Sequence, residues 1–518
     1  MTRKATLPSE CSSPGSRALG LLLSGGVPTS PSIAATGIPA PFFEAQGGTA
    51  SAHRILLISP RFPPATDVGA LRWQKMARYL GERGWELDVI TSEPDSIDAP
   101  DWGRLADLPP GTRVYGVSTP EVPIARVIGS IWRVLRRFRS NRPAESRQAA
   151  SGVTRGRDVQ PASLARSEIR WSLTEWRTYV RAYNAWMASV ELRQWARRTS
   201  ALARHLVAKD VYDAIISSGP PNAAHEAARL ISRYSRIPFV ADMRDVWSLV
   251  QECLEPFASP LLLHLARQAE RRVVEEAALV VANTEAVRSA MIDVYPQARD
   301  RILAVMNGFD EDPLPASRHG RQFVVAHAGT IYLDRDPTCL FRAAREVIEA
   351  LRLSPDQFAL EFIGANDRSI SLAAMAEAEG IAAFLHEDGP RPRAQALEFL
   401  SRATMLVILP QSWDMSIPAK LFEYVRFDAW LLALTERNSA TASVLGGTDA
   451  DIVSPRDVSA IAAVLRKRYE EYMAGTRPRQ IARDVRLSRR FQAQILLDAI
   501  ERCVRPSSIQ EPARLVAH

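Results

Sequence analysis

The richest group of side chains that could do chemistry lies between residues 414 and 424. Ser416 is placed to cap the start of a helix, and Pro418 suits a first helical turn. The free N–H groups of such a helix start, together with Lys420, would attract an anion. Glu423 lies one turn further along the same face, where its carboxylate could accept both hydroxyl protons of a ribose. The alternative is an exposed Lys–Glu helix pair that contributes only about 0.3 kcal/mol.

Two glycines occur where the backbone could approach a phosphate closely. Gly329 and Thr330 follow an apolar run, and Arg335 either neutralises a phosphate there or is simply solvated. Gly69 closes a proline-rich loop at the start of a helical pattern, as a phosphate-facing residue or as a plain turn glycine. The Gly69 loop is not a G-x-G-x-x-G fingerprint, so a dinucleotide cofactor is disfavoured.

Further polar residues follow apolar runs in the first half of the chain. Arg244 and Asp245 follow the run 238–242 after one intervening methionine, where they either orient a sugar hydroxyl or form a structural ion pair. His225 stands early in a helical pattern after a Pro-Pro turn, and both a functional and a structural role are open for it. The segment 307–310, Asn-Gly-Phe-Asp, is typical of a turn that needs a positive φ.

These residues all follow predicted strands. Ligands of open parallel sheets bind at the carboxyl ends of the strands, so all of these residues could lie at one binding edge. Apolar runs typical of buried strands alternate with helical patterns in two series. The runs are 54–59, 87–91, 213–218, 238–242 and 279–283, then 323–329, 359–364, 383–385, 405–409 and 430–434. We therefore predict an α/β protein with two Rossmann-like domains that face each other across a cleft.

The expected domain bounds follow from this pattern. We predict an acceptor-side domain over 52–310 and a donor-binding domain over 311–490. Residues 491–518 would form the C-terminal helix and tail, with the helix packed back on the first domain. The Ser-, Pro- and Gly-rich stretch 1–51 is expected to be a disordered tail, since its apolar patch is too short for a signal peptide.

Positive charge is concentrated in a basic, Trp-rich insertion over residues 121–210, which holds 18 Lys and Arg against 7 Asp and Glu. The stretch from Arg126 to Ser140 has apolar residues at helical spacing with arginines among them. Such a helix either lies on an anionic membrane surface or packs on the first domain with a solvated arginine face. Nucleic acid is a weaker third partner and is not expected, since no recognised motif for it is present.

Composition excludes several classes of protein. No stretch approaches the ~20 apolar residues that span a bilayer. Four scattered cysteines are too few for a disulfide framework or a metal cage, and they indicate reduced thiols in a cytoplasmic protein.

In order along the chain, the segments 55–91, 238–247, 307–310 and 420–434 resemble the glycosyltransferases of GT-B fold, specifically those of family 4. The resemblance covers about 52–500 apart from the basic insertion. It implies retaining transfer from a nucleotide-diphosphate sugar, without an obligatory metal or other cofactor. The acceptor would be a glycan or a lipid-linked sugar in polysaccharide or glycolipid synthesis, with the enzyme peripheral on the inner face of the cell membrane.

The resemblance also implies roles for individual residues. Arg335 and Lys420 would hold the diphosphate and, with Asp245, form the catalytic set. The donor-binding set would be Gly69, Gly329, Thr330, Arg335, Ser416, Lys420 and Glu423. The side facing the acceptor and the transferred sugar would hold His225, Arg244, Asp245 and Asp414.

The chain departs from the family at one carboxylate. The family has Glu-x7-Glu with its first carboxylate near the sugar, whereas Met415 stands eight residues before Glu423 here. The adjacent Asp414 is a candidate substitute. The departure keeps two alternatives open, which are a nucleotide-sugar epimerase of the same fold and a non-catalytic nucleotide-sugar-binding protein.

Overall fold

The computed structural model of the chain describes residues 40–47, 53–97, 99–118, 176–245, 247, 249, 260–331, 335–367, 370–410, 414–481 and 484–504. The predicted basic helix from Arg126 to Ser140 lies outside these residues. Among the residues described, no helix is long and apolar enough to cross a membrane.

The first sheet has eight strands, of which only the first runs antiparallel to its neighbour. The strands are β1 (Phe43–Glu44), β2 (Arg54–Ile58), β3 (Glu86–Ser92), β4 (Arg113–Val117), β5 (Ala214–Gly219), β6 (Phe239–Met243), β7 (Leu279–Ala282) and β8 (Ile302–Ala304). Their spatial order is β1-β4-β3-β2-β5-β6-β7-β8, so β2 and β5 lie at the centre.

Helices cover both faces of this sheet. They are α1 (Val68–Glu82), α2 (Trp176–Lys209), α3 (Ala223–Ser235), α4 (Pro260–Glu276) and α5 (Glu285–Val294). Successive strand residues point to opposite faces. Ile55 and Leu57 therefore pack with α1, while Leu56 and Ile58 pack with the core formed by the other four helices.

The second sheet has six strands, all parallel, in the order β11-β10-β9-β12-β13-β14. The strands are β9 (Phe323–Ala328), β10 (Phe358–Ile363), β11 (Leu385–Asp388), β12 (Met405–Ile408), β13 (Trp430–Leu434) and β14 (Asp451–Val453). The helices are α6 (Thr338–Leu351), α7 (Leu372–Ala378), α8 (Arg393–Leu400), α9 (Ala419–Tyr424), α10 (Ala440–Leu445) and α11 (Val458–Met473). Two parallel α/β sheets are the predicted fold class, which is confirmed.

The last helix, α12 (Arg489–Val504), packs on the first sheet, where its Leu496 and Ile500 are buried beside Ile55. The chain thus crosses between the two halves twice, and the crossings bind each other. Arg489 donates its N–H to the Phe309 carbonyl at 2.7 Å. Gly308 has a φ of 71°, and a Cβ there would lie 2.6 Å from the Arg489 nitrogen, so this crossing needs glycine.

Two sequence-based boundaries need correction. Residues 40–47 were expected in a disordered tail, but β1 pairs with β4, and Phe42 and Phe43 pack on the core. The short strand covers a sheet edge that would otherwise present unpaired backbone groups. The run 383–385 was expected to be a strand, but residues 382–384 form a 3-10 turn and the strand β11 starts at Leu385.

Part of the predicted basic insertion lies within the described residues. Its last third belongs to α2, where Trp195, Leu202 and Leu206 are buried in the core of the first domain. Trp195 is only 2% exposed, so these residues are part of the Rossmann-like layer. Their apolar character was masked in the sequence by the arginines that alternate with them.

Candidate functional site

Lys420 is the central residue of the second domain's site. Its Nζ lies 2.9 Å from Nε2 of His327, a buried residue on β9. The Nδ1 of His327 lies 2.8 Å from the Val407 carbonyl, which can only accept a hydrogen bond. Nδ1 therefore carries the ring hydrogen, and Nε2 accepts from the lysine ammonium. Burial, followed by the charge of Lys420, holds the pKa of His327 well below its usual value, so the ring is neutral.

Two glycines make room for this ammonium at the carboxyl ends of β9 and β10. Gly329 has a φ of 136°, and a Cβ there would lie 2.3 Å from the Lys420 Nζ. Gly364 has a φ of 147°, and a Cβ there would lie 2.4 Å from the Gly329 carbonyl oxygen. Any larger residue at either position would displace the ammonium or the backbone beneath it.

The charge on Lys420 has no carboxylate in contact with it among the described residues. Burial, together with the nearby Arg335, lowers its pKa to about 7, and Glu423 only partly opposes this. A cation held in this way gains most from an anionic ligand, which would supply the missing counter-charge and raise the pKa again. The site is therefore chemically suited to a phosphate group.

Neighbouring side chains extend the site. Arg335 donates from Nη1 to the Thr330 carbonyl at 3.0 Å, so it lies over the loop that follows β9. Glu423 accepts a hydrogen bond from Arg393, a partner that the sequence did not reveal. Tyr424 is buried, and its hydroxyl accepts from the Ala328 N–H at 2.7 Å, which fixes α9 against the end of β9.

The start of α9 differs from the prediction. The N-cap position is held by Pro418, which provides no side-chain capping hydrogen bond, whereas Ser416 was the expected cap. Pro418 has extended backbone angles, so helical geometry begins only at Ala419, and the helix has six residues. Lys420 therefore makes the anion site through its side chain. The Ser416 carbonyl accepts from the Thr441 hydroxyl at 3.4 Å, which holds this loop on α10.

The first domain presents Arg244 at the opposite edge of the cleft. Its N–H and its Nε donate to the Gly219 carbonyl, at 2.9 Å and 3.3 Å, and Nη2 donates to the Pro220 carbonyl. A Cβ on Gly69 would lie 2.1 Å from Arg244 Nη1, so the guanidinium lies directly against the first turn of α1. The structure thus joins two residues for which the sequence suggested separate roles.

Asp242, a buried residue of β6 close to Arg244, was not identified as a site residue from the sequence. It accepts from Arg72 at 2.9 Å and 3.1 Å, from Trp73 at 2.8 Å and from Ser218 at 3.0 Å. Burial would raise the pKa of Asp242, but Arg72 and the other donors hold it below its usual value. Arg72 also donates to Met306, Asn307 and Val305, so it ties α1 and β6 to the crossing between the domains.

Asp245 and His225 occupy different environments. Asp245 is exposed at the cleft, where partial desolvation and then Asp242 raise the pKa of its carboxyl against the opposing effect of Arg244. His225 was expected to face the acceptor or the sugar, but it is 0% exposed beneath Gly219, and its Nδ1 lies 2.9 Å from the Ser217 hydroxyl. It cannot line the open cleft, because the start of α3 turns its ring toward the sheet.

Asp414 is also placed differently from the prediction. Its side chain is exposed, and its carboxyl pKa is raised by partial burial and by Glu436, which lies on the second domain. The neighbouring Met415 instead faces the first domain, where its carbonyl accepts from the Thr284 hydroxyl at 2.7 Å. Asp414 and Met415 therefore have different neighbours, Asp414 beside Glu436 of the second domain and Met415 on the first domain.

Among the described residues, no group of three or more His, Cys, Asp or Glu side chains is arranged to hold a metal ion. The sequence signals for the missed residues were weak. His327 is a single polar residue inside the apolar run of β9, and Asp242 is the polar end of another such run.

Comparisons with known proteins agree with this architecture. Residues 146–308 match the family model of the glycosyl transferase 4-like domain. No curated protein matches the sequence. A solved trehalose-6-phosphate phosphatase N-terminal domain from Candida albicans is similar, with a TM-score of 0.54 and 12% identity over 89% of this chain and 99% of that one.

Two further structures share the fold. A glycosyltransferase from Rickettsia africae ESF-5 has a TM-score of 0.51 and 11% identity, over 88% of this chain and 99% of that one. A UDP-forming alpha,alpha-trehalose-phosphate synthase from Burkholderia xenovorans has a TM-score of 0.50 and 12% identity, over 88% of this chain and 100% of that one. At these identities the likeness concerns the fold.

Proposed function

We propose that this chain, a GT-B glycosyltransferase by its two-domain fold and its glycosyltransferase 4-like domain, transfers a sugar from a nucleotide-diphosphate donor to a glycan or lipid-linked acceptor. The observation that carries the proposal is the Lys420 ammonium, which is held over Gly329 by a neutral histidine and lacks a contacting carboxylate among the described residues. A diphosphate supplies the anion that this arrangement lacks.

In this proposal the donor lies on the second domain. Its diphosphate contacts Lys420 and Arg335 at the loop after β9, and Gly329 lets the phosphate oxygens approach the backbone. The ribose hydroxyls donate to the carboxylate of Glu423, which lies one turn from Lys420 on the same helix. Arg393, which contacts Glu423, orients that carboxylate for the ribose.

The proposed reaction breaks the bond between the anomeric carbon and the diphosphate oxygen. It forms a bond between that carbon and the oxygen of an acceptor hydroxyl, whose proton passes to the leaving diphosphate. Negative charge grows on the leaving diphosphate. Cations already in position stabilise that charge without reorganising, which is the largest catalytic effect in many enzymes. Lys420 and Arg335 perform this role, and no resident cofactor is part of the proposal. Retention of the anomeric configuration is implied by the family resemblance.

In the proposal, the first domain binds the transferred sugar and the acceptor. Arg244 and Asp245 directly follow β6, and Gly69 lies beside Arg244 at the start of α1. Asp245 orients a hydroxyl of the transferred sugar. In this proposal the two domains meet at the bond that joins the diphosphate to the sugar.

Nucleotide binding and turnover test the proposal. Calorimetric titration with UDP, GDP, dTDP and ADP identifies the nucleotide, and the matching nucleotide sugars are then assayed for hydrolysis and transfer. Lys420→Ala should lose both, whereas Lys467→Ala, an exposed lysine on α11, should behave as the wild type. Absence of any nucleotide diphosphate binding would contradict the proposal. Release of an epimerised nucleotide sugar without acceptor would indicate an epimerase, and binding without turnover a non-catalytic protein.

A lipid-linked acceptor would place the enzyme at a membrane surface, and the stretch from Arg126 to Ser140 is the proposed contact. Its apolar residues at helical spacing and its arginines suit an anionic lipid interface. Co-sedimentation of the full chain with anionic vesicles, with and without that stretch, tests the proposal. Equal sedimentation of the two proteins would contradict it.

A further inference from the structure

Met415 lies at the boundary between the two domains, just before the helix that carries Lys420. Its side chain is partly buried on the apolar cluster of the first domain that includes Met243 and Val287. Trp247 and Leu249 pack on the same cluster and are also partly exposed. All three side chains pack against this one cluster, and we call them together the Met415 wall.

The backbone around Met415 is fixed from both sides. The Thr284 hydroxyl donates to the Met415 carbonyl at 2.7 Å, and the Thr284 Oγ1 itself accepts from the Val287 N–H at 3.1 Å as the cap of α5. On the other side the Ala440 N–H donates to the Asp414 carbonyl at 2.6 Å. With both carbonyls bound, the loop cannot rotate Asp414 into the place of Met415 without losing a hydrogen bond from each domain.

Asp414 consequently belongs to another surface. Its side chain is exposed and is close enough to Glu436 for the two negative charges to interact. Glu436 accepts from the Ser454 hydroxyl at 3.0 Å, on the second domain. Met415, which does reach the first domain from the loop before α9, carries only a weakly accepting thioether sulfur.

The Met415 wall adjoins the sugar side of the proposed site. Thr284, which binds the Met415 carbonyl, follows Asn283, whose side-chain amide donates to the Arg244 carbonyl. Trp247 comes two residues after Asp245. In the proposed subsite, Arg244 and Asp245 therefore form the polar end and the Met415 wall forms the apolar end.

From this geometry we infer that the transferred sugar presents an apolar carbon to Met415, as a deoxy position or as the methyl of an acyl-amino group. The inference rests on the proposed function. A hydroxyl pointed at the Met415 wall loses its hydrogen bonds to water and finds no partner, which disfavours it. An apolar pocket rejects an added hydroxyl by at most about 100-fold, so we expect a preference of about 10- to 100-fold.

The test compares donors that share one nucleotide and differ in a single substituent. The nucleotide is the one that binds best among UDP, GDP, dTDP and ADP. The sugars are glucose, 6-deoxyglucose, 4-deoxyglucose and N-acetylglucosamine. The two deoxy sugars test for a deoxy carbon at Met415, and N-acetylglucosamine tests for an acetamido methyl. Affinity is measured for each intact donor, and hydrolysis is measured by nucleotide release.

Three substitutions assign the preference to Met415. Met415→Leu keeps an apolar wall and should keep the donor ranking. Met415→Glu and Met415→Gln supply hydrogen-bond partners and should reduce the preference at least about 10-fold, in favour of glucose. If Met415→Glu fails to fold, Met415→Gln still tests the preference. The melting temperature shows whether each of the three variants is folded.

Two failures are distinguishable. If no nucleotide diphosphate binds, the proposed function itself is wrong. If the nucleotide binds but glucose is preferred by the wild type, or Met415→Gln changes all donors equally, the apolar subsite is wrong while the proposed function stands.

Discussion

The Nζ of Lys420 lies 2.9 Å from Nε2 of His327, whose other ring nitrogen donates to the Val407 carbonyl. The more usual partner of a partly buried lysine is a carboxylate, which would neutralise it. A neutral imidazole fixes the position of the ammonium but leaves its charge available. The affinity for an anion, its dependence on pH and the stability of the empty protein should all follow from this pair.

Lys420→Met should reduce the affinity for the nucleotide diphosphate about 10- to 100-fold, because one charge-assisted contact contributes about 1.5–3 kcal/mol. The same substitution should raise the melting temperature of the ligand-free protein at pH 7, because it removes a poorly compensated charge. Lys467→Met on α11 is the matched control and should change neither. Titration calorimetry and thermal melting give both answers, and unchanged nucleotide affinity in Lys420→Met would refute the assignment.

The pH dependence follows from the pKa of Lys420, which lies at about 7 in the folded chain against 10.5 ordinarily. Nucleotide affinity should fall as pH rises above about 7, because the free site then loses its charge. The stability of the empty protein should rise over the same pH interval, since the unfolded chain binds the extra proton. Lys420→Arg stays charged and should remove both trends. A flat wild-type profile between pH 6 and about 9 would contradict the pKa shift.

His327→Leu should lower the pKa of Lys420 further, because the ammonium loses an acceptor that lies within hydrogen-bonding distance. The midpoint of the pH profile for nucleotide binding should therefore move to lower pH, with little loss of affinity at the acidic end. A purely structural role of His327 would weaken binding equally at every pH, and that outcome separates the two explanations.

Gly329→Ala should weaken nucleotide binding by about 10-fold or more, because its Cβ would lie 2.3 Å from the Lys420 Nζ. Gly475→Ala is the matched control, since Gly475 also has a positive φ of 93° but nothing within 4 Å of a Cβ. Both variants should lose about 1 kcal/mol of stability from backbone strain. Equal nucleotide affinity in the two variants would show that Gly329 is only a turn residue.

Asp242→Asn should destabilise the first domain by about 3–5 kcal/mol, because it leaves the buried Arg72 guanidinium without its carboxylate. The lowered pKa of Asp242 means that its contribution is present near neutral pH and is lost as pH falls through the folded pKa. Denaturant unfolding at pH 7 and at about pH 2.5, below the ordinary carboxyl pKa, measures both effects. Asp414→Asn, at an exposed carboxylate, is the control and should have no comparable effect.

Much of the fold and part of the site could be predicted from the sequence. The apolar runs predicted most strands because a strand buried on both faces must be apolar along its length. Gly329 and Lys420 were recognised because each follows such a run, and the carboxyl ends of parallel strands form the binding edge. Two successive series of this pattern determined the two-domain class.

Only the tertiary structure decided which residues meet. His327 and Lys420 are 93 positions apart, Arg244 and Gly69 come from different strand-helix units, and Met415 reaches Thr284 across the domain boundary. Periodicity specifies the face on which a residue lies, but its partner depends on the order of strands and on the approach of the two domains. For the same reason the sequence alone did not show the surroundings of Asp414 and Met415, whereas in the structure Ala440 of the second domain binds the Asp414 carbonyl and Thr284 of the first domain binds the Met415 carbonyl.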